Sequence, residues 1–180
     1  LDVVMPDLSG IEVCRRLKKR APDRVLVAGG RGVFSANERL LFPPDSIDYF
    51  VVGEGETSFV PLLEAIFSNR DGALLPGVVR FEGVHLTEHH PRPLYEDLTI
   101  FPHPSFNGFN LGAYTDPELP LLFSRGCPGH CTFCNDHKAM GHYRGRPAAH
   151  MAAEILSHIR KLGRRDFKFN DQCINGDLAQ

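Results

Sequence analysis

Apolar residues along the chain come in short runs, each followed by a capped polar segment, the rhythm of strands that feed helices. Leu1 to Met5 reads as a strand and Pro6 to Gly10 as a turn. Ser9 and Glu12 then have the spacing of a capping box, and Ile11, Cys14 and Leu17 fall on one helical face until Pro22-Asp23. Val25 to Ala28 is a short apolar run, as in a buried parallel strand, and Gly29-Gly30 follows it. Ser35 and Glu38 repeat the capping-box spacing before a short helix to about Leu41. Asp48 to Val52 is a further buried strand, ending in Gly53-Glu54-Gly55-Glu56, and a helix is expected from about Ser58 to Phe67. Three strand–helix pairs in succession imply a doubly wound, Rossmann-like parallel α/β sheet, partly represented here. Ligands of such sheets bind at the C-terminal ends of the strands, where both glycine turns lie.

Residues 70–118 differ. Pro76, Pro91, Pro93, Pro102, Pro104 and Pro117 punctuate them, and Val78 to Glu82 with Val84 to Thr87 reads as a hairpin about Gly83. The α/β rhythm resumes with a strand from Leu119 to Ser124 and a loop rich in cysteine. Pro147 fits the first turn of a helix whose inner face carries Met151, Ile155, Ile159 and Leu162, with Gly163 as its C-cap. Phe167 and Phe169 alternate in the next strand, Asp166 to Asn170. The expected organisation is one α/β unit over 1–70, a linker over 71–118 and the start of a second unit over 119–180. Leu1-Asp2-Val3-Val4 reads like a strand already under way, and the far end stops just after a strand. A piece of a longer protein is therefore expected.

Composition narrows the function classes. A formal net charge of -2 over 180 residues offers no broad basic field for nucleic acid or an anionic membrane. No apolar run approaches the roughly 20 residues of a bilayer span, and with no basic segment leading into an apolar stretch at residue 1, export is not expected. Of five cysteines, three crowd into Arg125-Gly126-Cys127-Pro128-Gly129-His130-Cys131-Thr132-Phe133-Cys134. An odd count so clustered is a poor disulfide framework and points to metal chemistry in the cytoplasm.

The spacing C-x3-C-x2-C sits on a loop directly after a strand. Thiolates are the usual ligands of iron–sulfur clusters, and three of them can hold three irons of a [4Fe–4S] cubane and leave the fourth iron open. Gly126 and Gly129 allow close backbone approach, Phe133 can shield one side, and loop N–H groups can tune the potential. The competing reading is structural zinc, with His130, His137 or His142 completing Cys3His.

This segment resembles the signature of radical S-adenosylmethionine (SAM) enzymes. The resemblance implies the first βαβ of a (β/α) partial barrel, with Cys127, Cys131 and Cys134 as cluster ligands. In that superfamily the open iron is chelated by the amino and carboxylate groups of SAM, and the reduced cluster cleaves SAM to methionine and a 5′-deoxyadenosyl radical. Tyr143-Arg144-Gly145-Arg146-Pro147 with Glu154-Ile155 is similar to the start of the first helix of that class, and Phe167-Lys168-Phe169-Asn170-Asp171 to its second strand. Phe133, Asn170 and Asp171 are thereby expected on the cofactor side; the alternative for the last two is a strand end capped by polar residues. Cys173 reads most simply as a small buried residue.

Gly29-Gly30, and Ile47 to Glu56 before a helix, resemble the second half of the cobalamin-binding domain that precedes many radical SAM cores. Gly29, Gly30, Gly53, Glu54 and Gly55 are then expected at cobalamin, although the D-x-H-x-x-G motif of that family does not occur in the chain. Such proteins include methyltransferases and the anaerobic magnesium-porphyrin cyclase. The expected protein is thus a radical SAM enzyme of methyltransferase or cyclase type, acting on a small organic substrate with an electron donor such as flavodoxin or ferredoxin. No catalytic residue is assigned, and the fragment alone is expected to be inactive. A competing resemblance, to response-regulator receivers, rests on Asp2-Val3-Val4-Met5-Pro6-Asp7, with Asp2 as phosphoacceptor. It fails at Val25 to Gly29, which lacks Ser/Thr, and at Val51-Val52-Gly53, which lacks Lys.

Overall fold

The computed structural model describes residues 9–87, 90, 94–134 and 140–176. The strand expected at 1–5, with Asp2, lies outside the described residues, as does His137. The chain divides into two compact units, Leu1–Leu94 and Tyr95–Gln180.

In the first unit, helix α1 spans Gly10–Arg20. Ser9 caps it by accepting the Glu12 N–H at 3.3 Å. The box is half made, because the Glu12 carboxylate takes Arg15 and Arg16 at 3.0 and 2.9 Å. The capping box at α2 (Ala36–Arg39) is complete in both directions. Strands β1 (Val27–Ala28) and β2 (Tyr49–Val51) are parallel. β2 starts one residue later than the expected Asp48, whose side chain bonds outside the strand. It accepts the Leu26 N–H at 2.6 Å and pairs with Lys18 at 2.7 Å, fastening α1 to the entry of the sheet. α3 follows over Phe59–Phe67.

The expected hairpin is divided. Val78–Val79 (β3) joins the first sheet antiparallel to β2, in the order β1-β2-β3. Phe81–Glu82 (β4) pairs instead with His85–Leu86 (β5) about Gly83, whose φ of +63° is a conformation glycine adopts freely.

Side chains alternate across this sheet as the pleat requires. Ala28, Phe50, Val52 and Val79 bury one face with Cys14 of α1, Val33, Phe42 and Ile47. Val51 and Val78 bury the other with Leu62 of α3. Phe50 is the centre of the first cluster, edge-on to Phe42 at 5.2 Å and to Phe81 at 5.8 Å.

The second unit holds β6 (Leu119–Leu121), β7 (Ser124–Arg125), β8 (Arg144–Gly145), α4 (Ala148–Leu162) and β9 (Phe167–Phe169). β6 and β9 are parallel with α4 as the crossover, a βαβ unit without barrel closure. Pro120 is exposed within β6. Gly163 ends α4 in the left-handed conformation, φ +66°. The inner face of α4 differs from the apolar stripe expected. Met151 is buried, but so are Glu154 and His158, while Ile155, Ile159 and Leu162 are only half-buried. Among the described residues no helix is long and apolar enough to cross a membrane.

If Phe50 carries the first core, Phe50→Ala costs about 3–5 kcal/mol of stability. Phe67→Ala, at a side chain 85% exposed, changes it by less than about 0.5 kcal/mol. Urea unfolding of the two variants checks this, and equal losses would place the core elsewhere.

Candidate functional site

The expected strand Leu119 to Ser124 is broken in the middle, and the break builds the cysteine loop. β6 ends at Leu121, and the chain re-pairs as β7 with β8, Ser124 opposite Gly145 and Arg125 opposite Arg144. These two antiparallel pairs form a neck, and Cys127 to Cys134 lie in the loop beyond it. Gly126 closes the neck. Its φ is +77°, and a Cβ there would overlap the His142 carbonyl oxygen and lie 2.7 Å from that of Gly141. Only glycine fits such an approach.

Arg144, 4% exposed, braces the returning strand by donating to the carbonyls of Tyr95 and Met140, each at 2.9 Å. On the other side, the Arg125 guanidinium lies 5.1 Å from the centre of the Phe101 ring, within cation–π range.

Within the loop, the Cys127 sulfur accepts the Gly129 N–H at 3.4 Å. A Cβ on Gly129 would meet the sulfurs of Cys127 and Cys131 at 3.5 and 3.7 Å, so both thiols face the bare side of this glycine. The Cys134 N–H bonds the Cys131 carbonyl at 3.1 Å in a tight turn. Among the described residues no three His, Cys, Asp or Glu side chains are drawn together as a metal-binding set. What fits an iron–sulfur cluster is the donor chemistry, three thiols on one closed loop, and a glycine whose N–H already bonds a ligand sulfur. His142, a zinc-ligand candidate, has its Nε2 at 2.9 Å from Glu96. Phe133 is 90% exposed and shields nothing.

Of the two residues expected beside SAM, Asn170 is exposed at the end of β9, and its N–H extends the ladder to the Leu121 carbonyl at 2.9 Å. Asp171 is half-buried, and its carboxylate takes donors from Phe123 and Ser124.

A buried polar group on α4 escaped sequence reading. Arg146 pairs with Glu154, which is fully buried, and donates to the Leu122 carbonyl at 3.0 Å and to His150 Nδ1. His158 Nε2 lies 3.7 Å from Glu154 Oε1. Burial first, then the neighbouring Arg146 and His103, hold His150 below its ordinary pKa, which suits an acceptor for the guanidinium. The available signal was charge at 146, 154 and 158, eight and four residues apart on a helix otherwise patterned for a core.

In the first unit the glycine turns open onto a groove of about 900 Å³. Gly29, Gly30, Gly53 and Gly55 line it together with apolar side chains that include Val25, Phe59 and Val60. Gly30 and Gly53 have φ of +85° and +83° and need glycine, whereas Gly29 and Gly55 do not. Glu54 is buried outside the groove, and Glu56 lines it.

No family model matches the chain. It is 27% identical over 167 residues to the anaerobic magnesium-protoporphyrin IX monomethyl ester cyclase of Synechocystis sp., an alignment covering 89% of this chain and 33% of that protein. It is 30% identical over 133 residues to the cobalamin-dependent radical SAM methyltransferase TokK of Streptomyces tokunonensis, covering 69% of this chain and 20% of that one. Over most of its length the chain is thus similar to that cyclase and to that cobalamin-dependent radical SAM methyltransferase. Its fold matches the radical SAM methyltransferase TsrM of Kitasatospora setae, solved with cobalamin and a [4Fe–4S] cluster bound. The TM-score is 0.68 at 22% identity, over 90% of this chain and 33% of TsrM. The chain therefore spans a third or less of the length of these relatives. Neither the zinc nor the receiver alternative is favoured by these similarities.

Removing one member of a buried ion pair leaves the other uncompensated, so Glu154→Ala destabilises the second unit by about 3–5 kcal/mol. Arg146→Met alone and the double variant Arg146→Met/Glu154→Ala complete the cycle, and the double loses less than the sum of the two singles. Additive losses in this cycle, read by urea unfolding, would mean that the pair is not coupled.

Proposed function

We propose that this protein is part of a cytoplasmic radical SAM enzyme of the cobalamin-dependent class, of methyltransferase or related type, acting on a small organic substrate. The observation that carries the reading is the closed loop with C-x3-C-x2-C spacing, in a chain homologous to that class over most of its length. Cys127, Cys131 and Cys134 are the residues to hold three irons of a [4Fe–4S] cluster and leave one iron open. When bound, the cluster supplies the electron that cleaves SAM, and cobalamin supplies a carrier for a methyl group.

The chain's own residues set the conditions for this chemistry. Gly129 donates its N–H to a ligand sulfur, which stabilises the negative thiolate and whatever charge the cluster carries. Gly126 and the β7–β8 neck hold the loop ends together, which keeps the three cysteines on one closed loop that a cluster would gather. Asn170, exposed at the end of β9, is available to SAM, and Phe133 offers a solvent-facing ring beside two of the ligands. In the first unit, the groove beside Gly29, Gly30, Gly53 and Gly55 suits the apolar flank of a cobalamin, with Phe59 and Val60 as contact residues.

In this reading residues 1–70 belong to a cobalamin-binding-type domain, 71–118 to a linker and 119–180 to the start of the radical SAM core. A low-potential one-electron donor such as flavodoxin or ferredoxin supplies the cluster. TsrM has been solved with tryptophan as its substrate; for this chain the substrate class is a small organic molecule.

Anaerobic reconstitution with iron and sulfide tests the reading. The protein should turn brown, with sulfide-to-iron charge-transfer absorption that air bleaches, and Cys131→Ala should abolish it. A colourless protein holding one zinc per chain contradicts the reading.

A further inference from the structure

The break between β6 and β7 leaves two residues, Leu122 and Phe123, without a strand partner. Leu122 is exposed, but Phe123 is half-buried and Ser124 buried, so their backbone groups need partners from elsewhere. Its carbonyls go to Arg146. The guanidinium Nη1 donates to Leu122 O at 3.0 Å, and the Arg146 backbone N–H to Phe123 O at 2.9 Å. The amides on the following side go to a single carboxylate. Asp171 Oδ2 accepts the Phe123 N–H at 3.1 Å, and Oδ1 accepts the Ser124 N–H. The Ser124 hydroxyl also donates to Oδ1, at 2.6 Å.

Consecutive N–H groups of a strand point to opposite sides. Here two consecutive N–H groups reach one side chain, which happens only where the strand has turned. Asp171 is therefore bonded to the turn itself, three residues before Cys127. Ser124 is 1% exposed, so water is not at hand to replace the carboxylate.

We propose that Asp171 is a positioning residue for the cysteine loop, acting through Ser124 rather than by touching SAM. The proposal deepens the cluster reading above and rests on it for its consequence. The carboxylate fixes the direction in which the chain leaves β6, and with it the angle at which Cys127 enters the ligand set. Arg146, held by Glu154, fixes the same hinge from the carbonyl side. In this role Asp171 contributes acceptor oxygens only. Replacing one oxygen by an amide NH2 sets a donor against the donors of Phe123 and Ser124, so Asp171→Asn is disruptive despite its matching shape.

Hydrogen exchange on the full chain, read by mass spectrometry, tests this without any cofactor. Asp171→Asn should speed exchange over residues 123–127 by about tenfold or more, as loss of the carboxylate acceptor of the buried Ser124 implies. Exchange in α1 and β2 should not change. Ser124→Ala should give a smaller increase in the same segment, and Ser124→Thr, which restores the hydroxyl, should reverse it. After anaerobic loading with iron and sulfide, Asp171→Asn should lose its charge-transfer absorption to a chelator several-fold faster than the unaltered chain.

Unchanged exchange over 123–127 in Asp171→Asn overturns the proposal, as does a variant whose only defect is weaker SAM binding. Should Asp171→Asn fail to fold, the Ser124→Ala and Ser124→Thr pair decides the matter, and unchanged exchange in Ser124→Ala overturns it. If the unaltered chain takes up no iron, the cluster reading falls, while the exchange comparison still decides the role of Asp171.

Discussion

Two antiparallel residue pairs, Ser124 with Gly145 and Arg125 with Arg144, hold the ends of the cysteine loop together, and the chemistry assigned to the loop depends on them. A chelating loop gains from being closed in advance, since the entropy of bringing its ends together is lost on folding rather than on binding. Two pairs are too few to be stable alone. The neck is therefore tied from three sides: by Asp171 at the end of β9, by Arg146 and Glu154 of α4, and by Gly126 pressed against the carbonyls of Gly141 and His142. The first two ties come from residues in or beside β9 and α4 of the βαβ unit, the third from the loop itself. The fold thus closes the loop that carries the three cysteines.

The first unit works by a different constraint. Its sheet is covered on both faces, by Cys14 of α1 and by Leu62 of α3, and the strands end in turns where Gly30 and Gly53 adopt positive φ. Those turns remove side chains from the C-terminal edge and leave a groove whose walls are mostly apolar. Such a surface suits a large, flat cofactor held by contact area more than by charge.

Elements with a local cause were legible in the sequence. The capping box at Ser35 and Glu38, the αL glycine at 163, the hairpin turn at Gly83 and the cysteine spacing all depend on residues within a few positions of one another. What was not legible depends on partners far along the chain. The break in the strand at Leu122 and Phe123 is invisible in an apolar run, because it is supported by Arg146, 24 residues from Leu122, and by Asp171, 48 residues from Phe123. Val78–Val79 reads as one arm of a hairpin, yet its pairing with Val51 and Phe50 wins. Glu154 and His158 look like surface residues of an amphipathic helix until Arg146 is placed against them. Asp171 and Glu54 illustrate the same limit at the site. The family resemblances implied cofactor contacts, but the structure gives the Asp171 carboxylate to Phe123 and Ser124 and buries Glu54 outside the groove.

The central claim is that three thiolates leave one iron corner vacant for a chelating amino acid group. Electron–nuclear double resonance on the reduced, iron-loaded protein with SAM labelled by 15N at the amino group and 17O at the carboxylate tests it directly. The account predicts hyperfine coupling to both labels, lost when Cys127, Cys131 or Cys134 is replaced. Coupling to neither label, in a protein that holds its cluster, would contradict it.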